Sequence, residues 1–336
     1  MTRVLLTGAS GFVGSHVLRH ILANTTWEVV CLSSFRHRGL TDRIRLAVKD
    51  YDDDFNRVKV ISHDLTAPIS PVLSNEIGKI DYVFNVASDS HVDRSIVEPV
   101  PFIENNVSLV CNILEWARFS DIDRFIHVST DEVYGPAPSG YAHREWEDQY
   151  LPSNPYSASK AAQESIAYSY WRTYDLPLII TNTMNIIGEM QDPEKFVPMI
   201  MKRVLSEETV TIHASPTGEI GSRFYLHARN QADALLYTIN QPILKYGESH
   251  VPQKFHVVGE REVDNLEMAN MVAEYIGKPL KYELVDFHSS RPGHDLRYAL
   301  DGNKIAEAGW VAPLSLEESI ERTVNWTLKN KEWLSI

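Results

Sequence analysis

The sequence predicts an α/β fold: a doubly wound parallel sheet accompanied by a smaller, discontinuous α/β lobe. Three observations carry this. Short β-rich runs at 3–7, 27–32, 58–63, 82–87, 124–129 and 178–182 alternate with helical stretches. Parallel neighbours need crossover connections, usually helical, so the alternation puts helices on both faces of one sheet. Three glycines, Gly8, Gly11 and Gly14, close the first run and open a helix at 15–23. After Gly188 the rhythm breaks into a stretch containing Pro and Glu, then resumes with a helix near 230–239 and a strand near 254–258. The larger unit is therefore expected at 1–188 plus about 226–259, and the smaller at about 189–225 plus 260–336.

Composition narrows the function. The 336 residues carry 32 Lys+Arg against 45 Asp+Glu, a net charge of −13, and 43% are hydrophobic, which excludes a disordered or fibrous chain. No long basic run exists to neutralise a phosphate polymer, so nucleic acid is not an expected partner. Cys31 and Cys111 cannot build a disulfide framework and lack metal-type spacing, which fits a reducing compartment, the cytoplasm by default. The chain enters its first strand at once, with no signal-peptide pattern, and no window approaches the 18 or more apolar residues of a membrane span. Thirteen histidines without a cluster give no metal site.

Thr7-Gly8-Ala9-Ser10-Gly11-Phe12-Val13-Gly14 lies between a strand and a helix. Glycines there permit a tight turn and close backbone approach, so a dinucleotide pyrophosphate can rest on the free N–H groups of the helix start. The context is that of a Rossmann-type sheet, although the spacing is one residue longer than the usual fingerprint. At the end of the second run, where an acid would hold the NAD ribose, stands Ser33, followed by Arg36 and Arg38. A 2′-phosphate is tolerated by such a site, which leans toward NADP; solvated loop arginines are the competing reading. Asp64, followed by Leu65, is either an adenine-edge contact or a cap.

Pro155-Tyr156-Ser157-Ala158-Ser159-Lys160 opens a helix running to 174. Tyr156 and Lys160 share a helical face, and an ammonium near a phenol is expected to lower the phenol pKa toward a usable base. Ser129-Thr130-Asp131-Glu132 sits at the carboxyl edge of the fifth run, where open α/β sheets bind ligands. Its two carboxyls can divide general acid and base work if their surroundings separate their pKa values; the bland alternative is an N-cap followed by first-turn acids.

These motifs resemble the extended short-chain dehydrogenase/reductases. Within that family, Ser90-His91-Val92-Asp93-Arg94-Ser95, Ser129 to Gly135, Pro155 to Lys160, Pro193-Glu194-Lys195 and Arg291-Pro292-Gly293-His294-Asp295 resemble the nucleotide-sugar 4,6-dehydratases, above all those acting on dTDP-glucose. The resemblance implies a cycle in which Tyr156, with Lys160 and Thr130, takes the C4 hydroxyl proton while hydride moves to the nicotinamide. Glu132 then removes the C5 proton, Asp131 protonates the departing C6 hydroxyl, and hydride returns to C6. It also implies that Asn85, Ala87, Ser88 and Asn106 lie beside the cofactor. By the same likeness Ser90, His91, Asn185, Glu194, Lys195, Arg223, Asn265, Arg291 and His294 hold a nucleotide-diphosphate sugar, with Arg223 and Arg291 suited to the diphosphate. A homodimer through the helices 105–118 and 161–174 is the family expectation.

Several positions depart from the family pattern. Asn185-Ile186-Ile187-Gly188-Glu189 replaces the usual Asn-Asn-Tyr-Gly-Pro, Phe224-Tyr225 replaces Asp-Trp, and Ser33 replaces an Asp. The reaction type is therefore better defined than the sugar, the nucleotide (dTDP, UDP, GDP or CDP) or the choice of NAD or NADP. The alternatives are a 4-epimerase or UDP-glucuronate decarboxylase, which need Tyr156 and Lys160 but not the acid pair, and a non-catalytic NAD(P) sensor.

Overall fold

The computed structural model describes residues 1–36, 39–52, 55–286 and 296–335. In chain order the larger part runs β1 (Arg3–Thr7), α1 (Phe12–Asn24), β2 (Glu28–Ser33), α2 (Thr41–Val48), β3 (Val58–Ser62), α3 (Pro71–Ile77), β4 (Tyr82–Asn85), α4 (Val92–Val97), α5 (Pro99–Ala117), β5 (Arg124–Thr130), α6 (Pro155–Tyr174) and β6 (Leu178–Thr183). There follow β7 (Ile186–Ile187), α7 (Phe196–Leu205), β8 (Val210–Ala214), β9 (Ser222–Phe224), β10 (Leu226–His227), α8 (Ala228–Thr238), β11 (Gln253–Val257), β12 (Glu262–Asp264), α9 (Asn265–Ile276), β13 (Tyr282–Asp286), α10 (Asn303–Glu307) and α11 (Leu316–Lys329).

Seven parallel strands form the sheet in the order β3-β2-β1-β4-β5-β6-β11. The chain winds outward from β1 to β3, then returns to β4 beside β1, which places a topological switch point between β1 and β4. Both faces are covered, so the strands read as continuous apolar runs. Val4 and Leu6 face a core with Val17, Leu18 and Ile21 of α1, Ile44 of α2 and Leu235 of α8. Leu5, Val83 and Phe125 face Ile77 of α3, Leu109 and Ile113 of α5, and Trp171 of α6.

A third cluster joins Val197, Ile200 and Met201 of α7, Ile212 of β8, Met268 and Val272 of α9, and Ile320 and Val324 of α11. Ile305 and Trp310, which the sequence placed with the smaller lobe, pack instead in the core on the α1 and α8 side of the sheet. The helix expected at 105–118 begins earlier, at Pro99, because prolines are tolerated in a first turn that has no intrahelical N–H partner. Cys111 on that helix is half-buried.

One buried ion pair ties the sheet to the helix that carries Tyr156. Lys254 of β11 and Glu164 of α6 meet at 2.8 Å with both side chains fully buried. Burial alone would raise the Glu164 pKa, but the Lys254 charge and hydrogen bonds from Lys254 and Tyr150 outweigh it and hold the carboxylate below its ordinary value. Removing one member leaves an uncompensated charge, so Lys254→Met is expected to lower the unfolding free energy by about 3–5 kcal/mol. Lys254→Met/Glu164→Leu should recover most of that loss in denaturant titration; a double variant no more stable than the single one contradicts this account.

Candidate active site

The carboxyl ends of the strands open into a cleft of about 400 Å³ centred on the switch point. At one end lies the glycine turn. Gly8 has φ +73°, and a Cβ there would sit 2.9 Å from the Ala87 Cα; a Cβ on Gly14 would sit 2.1 Å from the Gly8 carbonyl oxygen. Gly8 and Gly14 are thus required by close backbone approach. Helix α1 starts at Gly11 with no side-chain cap and no acid in its first turn, so its positive end is left available for an anion. This cradle fits a dinucleotide pyrophosphate.

Phe12, Val13, Ser33, Arg36, Asp64, Leu65, Ala87 and Ser88 line the same end. Arg36 Nη2 donates to Asp64 Oδ1 at 2.9 Å and to Asn105 Oδ1 at 3.0 Å. The guanidinium assigned to a 2′-phosphate is therefore already paired with a carboxylate. Burial nudges the Asp64 pKa up, but hydrogen bonds from Thr66 and the Arg36 charge bring it below its ordinary value. Arg38 lies outside the described residues.

Two residues expected beside the cofactor serve the scaffold. Asn85 is buried and takes the Thr7 hydroxyl at 2.8 Å, while its amide nitrogen lies 3.1 Å from His127 Nδ1, linking β1, β4 and β5. Asn106 is also buried and does not line the cleft. It accepts from the Asp89 N–H at 2.8 Å and donates to the Asp89 carbonyl at 3.0 Å and Ser159 Oγ at 2.8 Å. Its amide is consumed in fixing the 87–90 loop to α6.

The chemical end begins at the tip of β5. Thr130 caps a single 3₁₀ turn, Asp131–Tyr134, by accepting from the Glu132 N–H. The cap reading and the site reading are both realised, because the turn that Thr130 starts also directs Asp131 and Glu132 into the cleft. Thr130 Oγ1 donates to Asp131 Oδ1 at 2.9 Å, and Asp131 Oδ2 is buried without a partner among the described residues. Burial, then the neighbouring Glu132, raises the Asp131 pKa to about 7. Glu132 is half-buried and accepts from Asn154 Nδ2 at 3.2 Å.

Tyr156 and Lys160 project from the first turns of α6, which Asn154 and Ser157 start as a capping box with Pro155 at its head. Both line the cleft. The phenol does not behave as the spacing suggested: burial first, then Glu132, push its pKa up, and only a hydrogen bond with Thr130 opposes them. Lys160 spends its hydrogens on the Val128 carbonyl at 2.7 Å and Gln163 Oε1 at 2.6 Å, and burial lowers its pKa to about 7 despite Glu164.

On the far wall, Lys195 Nζ donates to the Ser90 carbonyl at 3.2 Å, and His91 Nε2 lies 3.3 Å from Glu194 Oε1. These contacts clip the segment before α7 to the loop before α4. Asn185 lines the cleft as expected, whereas Arg223 and Asn265 stand outside it, behind Tyr225. Tyr225 donates to Asn265 Oδ1 at 2.8 Å, and Arg223 Nη1 donates to the carbonyls of Ser222 and Leu296 at 2.6 Å. Arg291 and His294 fall outside the described residues. Tyr225, Asp89, Arg94 and Gln191 also line the cleft and were missed as site residues; Asp89 precedes, and Arg94 lies within, the motif 90–95, whose first two residues alone were singled out. Among the described residues no group of three His, Cys, Asp or Glu is placed to hold a metal ion, and no helix is long and apolar enough to cross a membrane.

Gly14→Ala is expected to weaken NAD(H) binding more than about tenfold and to cost about 1–3 kcal/mol of stability, because the Gly8 carbonyl cannot yield without reshaping the cradle. Calorimetric titration against wild type tests this; unchanged affinity removes the glycine turn from the binding site.

Residues 4–249 match the model of the NAD dependent epimerase/dehydratase family. The Low-salt glycan biosynthesis protein Agl12 of Haloferax volcanii is 32% identical, covering 98% of this chain and 99% of that protein. The dTDP-glucose 4,6-dehydratase 1 of Escherichia coli K12 is 33% identical over 99% of this chain and 94% of its own. Among solved structures, the dTDP-glucose 4,6-dehydratase DesIV of Streptomyces venezuelae, determined with NAD, superposes with a TM-score of 0.85 at 30% identity, covering 99% and 98% of the two chains. The UDP-glucose 4-epimerase of Thermus thermophilus, also with NAD, gives 0.84 at 26% identity over 97% and 98%. With the glycine cradle, the switch-point cleft and the Tyr156/Lys160 helix in one likeness of nearly full length, the chain belongs to the NAD dependent epimerase/dehydratase family.

Proposed function

We propose that the chain is a nucleotide-sugar 4,6-dehydratase, converting an NDP-hexose to an NDP-4-keto-6-deoxyhexose. One observation carries this reading. A tyrosine and two adjacent carboxyl groups meet at one end of one cleft, and burial gives Asp131 a pKa of about 7 while Glu132 remains half-buried on an amide. Epimerisation uses the tyrosine alone and has no task for a carboxylic acid kept protonated near neutrality.

When bound, the nicotinamide dinucleotide supplies the hydride acceptor and donor and a cationic ring that favours a phenolate. Gly8, Gly11, Phe12, Val13 and Gly14 would hold its pyrophosphate, Ser33, Arg36, Asp64 and Leu65 its adenosine, and Ala87 and Ser88 the stretch between. Tyr156 takes the proton of the C4 hydroxyl, with Lys160 one turn along the same face of α6. The new 4-keto group acidifies C5, Glu132 removes that proton, and Asp131 delivers its own to the departing C6 oxygen. Ser90, His91, Asn185, Glu194 and Lys195 face the sugar nucleotide, and the cluster of α7, α9 and α11 forms the lobe behind them. The engagement of Arg36 with Asp64 and Asn105 favours NAD, the reverse of the lean that Ser33 with Arg36 and Arg38 gave. The exposed Val97, Val100, Phe119 and Tyr174 offer a second copy an apolar face beside α5 and α6.

Incubation of the protein with dTDP-, UDP-, GDP- and CDP-hexoses should give a mass loss of one water for at least one nucleotide; unchanged mass with inverted C4 means an epimerase. Glu132→Gln should lower water loss by at least about a hundredfold while the absorbance of reduced cofactor still builds. Because Asp131 must carry its proton, elimination in a single turnover should fall as pH rises through about 7, and Asp131→Asn should abolish that limb. A flat profile in the wild type refutes the acid role.

A further inference from the structure

Lys160 is a buried cation whose neighbouring acid on the helix is engaged elsewhere: Glu164, one turn further along α6, is paired with Lys254 at 2.8 Å. Lys160 rests instead on two uncharged oxygens, the Val128 carbonyl of β5 at 2.7 Å and Gln163 Oε1 at 2.6 Å. The Gln163 amide passes the contact on, its Nε2 donating to the Asn106 carbonyl of α5 at 2.6 Å. Gln163 is fully buried. Its amide fits in one orientation only. An ammonium donates and never accepts, and a carbonyl accepts and never donates, so a flipped amide would set N–H against N–H and oxygen against oxygen. Two of the three Lys160 hydrogens are thereby spent inside the protein, which leaves one for the cleft that Lys160 lines.

We propose that Gln163 is a positioning residue for Lys160: its amide, braced on the α5 backbone, keeps the ammonium charged and its remaining hydrogen directed to the cleft. The charges around Lys160 leave room for that task. Burial lowers its pKa to about 7, and the Glu164 carboxylate on the same helix only partly opposes this. On β5, His127 is kept neutral by burial first, then by Lys160 and Lys254. From α5 comes the uncharged Asn106 carbonyl, and Tyr156, Asp131 and Glu132 line the same cleft. A hydrogen bond to an ion is stronger than one between neutral groups, so removing the Gln163 oxygen weakens the charged form of Lys160 more than the neutral one.

This rests on the reading in which a charged Lys160 serves Tyr156, and the experiment separates the two. Isotope-labelled lysine is introduced into the full chain, the Lys160 resonance is assigned by its loss in Lys160→Met, and its titration midpoint is read by NMR without substrate. Gln163→Met and Gln163→Leu remove the oxygen and should lower the midpoint by about one pH unit or more. Gln163→Glu keeps an oxygen against the ammonium and should hold the midpoint at or above that of the wild type. A glutamine that only filled space would act otherwise, because water entering a loosened interior solvates the ammonium and raises the midpoint. A midpoint unchanged or raised in the apolar variants, or lowered in Gln163→Glu, overturns the proposal. With NAD and dTDP-glucose, the high-pH limb of cofactor reduction in a single turnover should shift in the same direction as the midpoint. A limb that stays in place while the midpoint moves overturns the part given to Lys160 in the reaction and leaves the assignment of Gln163 standing.

Discussion

The chemical half of this molecule depends on one buried negative charge. Glu164 lies one helical turn beyond Lys160 and receives hydrogen bonds from Lys254 at 2.8 Å, Tyr150 at 2.6 Å and Asn182 at 2.7 Å. Asn182 in turn donates to the Thr130 carbonyl at 2.9 Å, so the end of β5 is hung from the carboxylate on α6. Lys254 also lies over the rings of Tyr134 and Tyr150, fixing the 3₁₀ turn from below. A carboxylate in a dry interior is tolerated when it is paired with a cation and hydrogen-bonded, and these three bonds lock three elements into one geometry. Positioning of Thr130, Asp131 and Tyr156 is thereby inherited from a structural ion pair and not from the ligands.

The same burial that makes Glu164 a fixed anchor makes its neighbours chemically unequal. Asp131 and Glu132 are adjacent in sequence, yet the 3₁₀ turn sends one against Thr130 with an unpartnered oxygen and leaves the other on the Asn154 amide. Each charge discourages the other, and the one with less solvent keeps its proton. Burial first, and then those same carboxylates, hold the Tyr156 pKa up, so its activation has to wait for positive charge that arrives with ligand.

Much of this was legible in the residues. Six strands appeared as apolar runs because a doubly covered parallel sheet demands them, and the glycine turn appeared because backbone approach at Gly8 and Gly14 admits no Cβ. Pairings across long chain separations were not legible. Lys254 and Glu164 are 90 residues apart, and Arg36 and Asp64 are 28 apart. A motif also says where a residue sits, not where its amide points. Asn85 ends β4 and Asn106 lies within α5, but their hydrogen bonds face inward because a buried amide left unpaired is costly.

The departure at Asn185–Glu189 shows how a chain can lose a stiffening residue and keep the function it served. Where relatives of the resembled type have proline, Glu189 is buried against His16 of α1, His227 of β10 and Arg322 of α11. Burial alone would raise its pKa, but His227, His16 and Arg322 outweigh it and hold the carboxylate far below its ordinary value. The next residue, Met190, takes φ +64°, and its carbonyl accepts from Arg43 Nε and Nη2 at 3.1 and 2.9 Å. Proline fixes a backbone by covalent geometry and needs no partner. Here the segment leading to Glu194 and Lys195 is fixed by polar contacts from His16 of α1, Arg43 of α2 and Arg322 of α11, and α1 is also the helix whose start forms the pyrophosphate cradle. The wall that faces the sugar is therefore mechanically joined to the element that faces the cofactor.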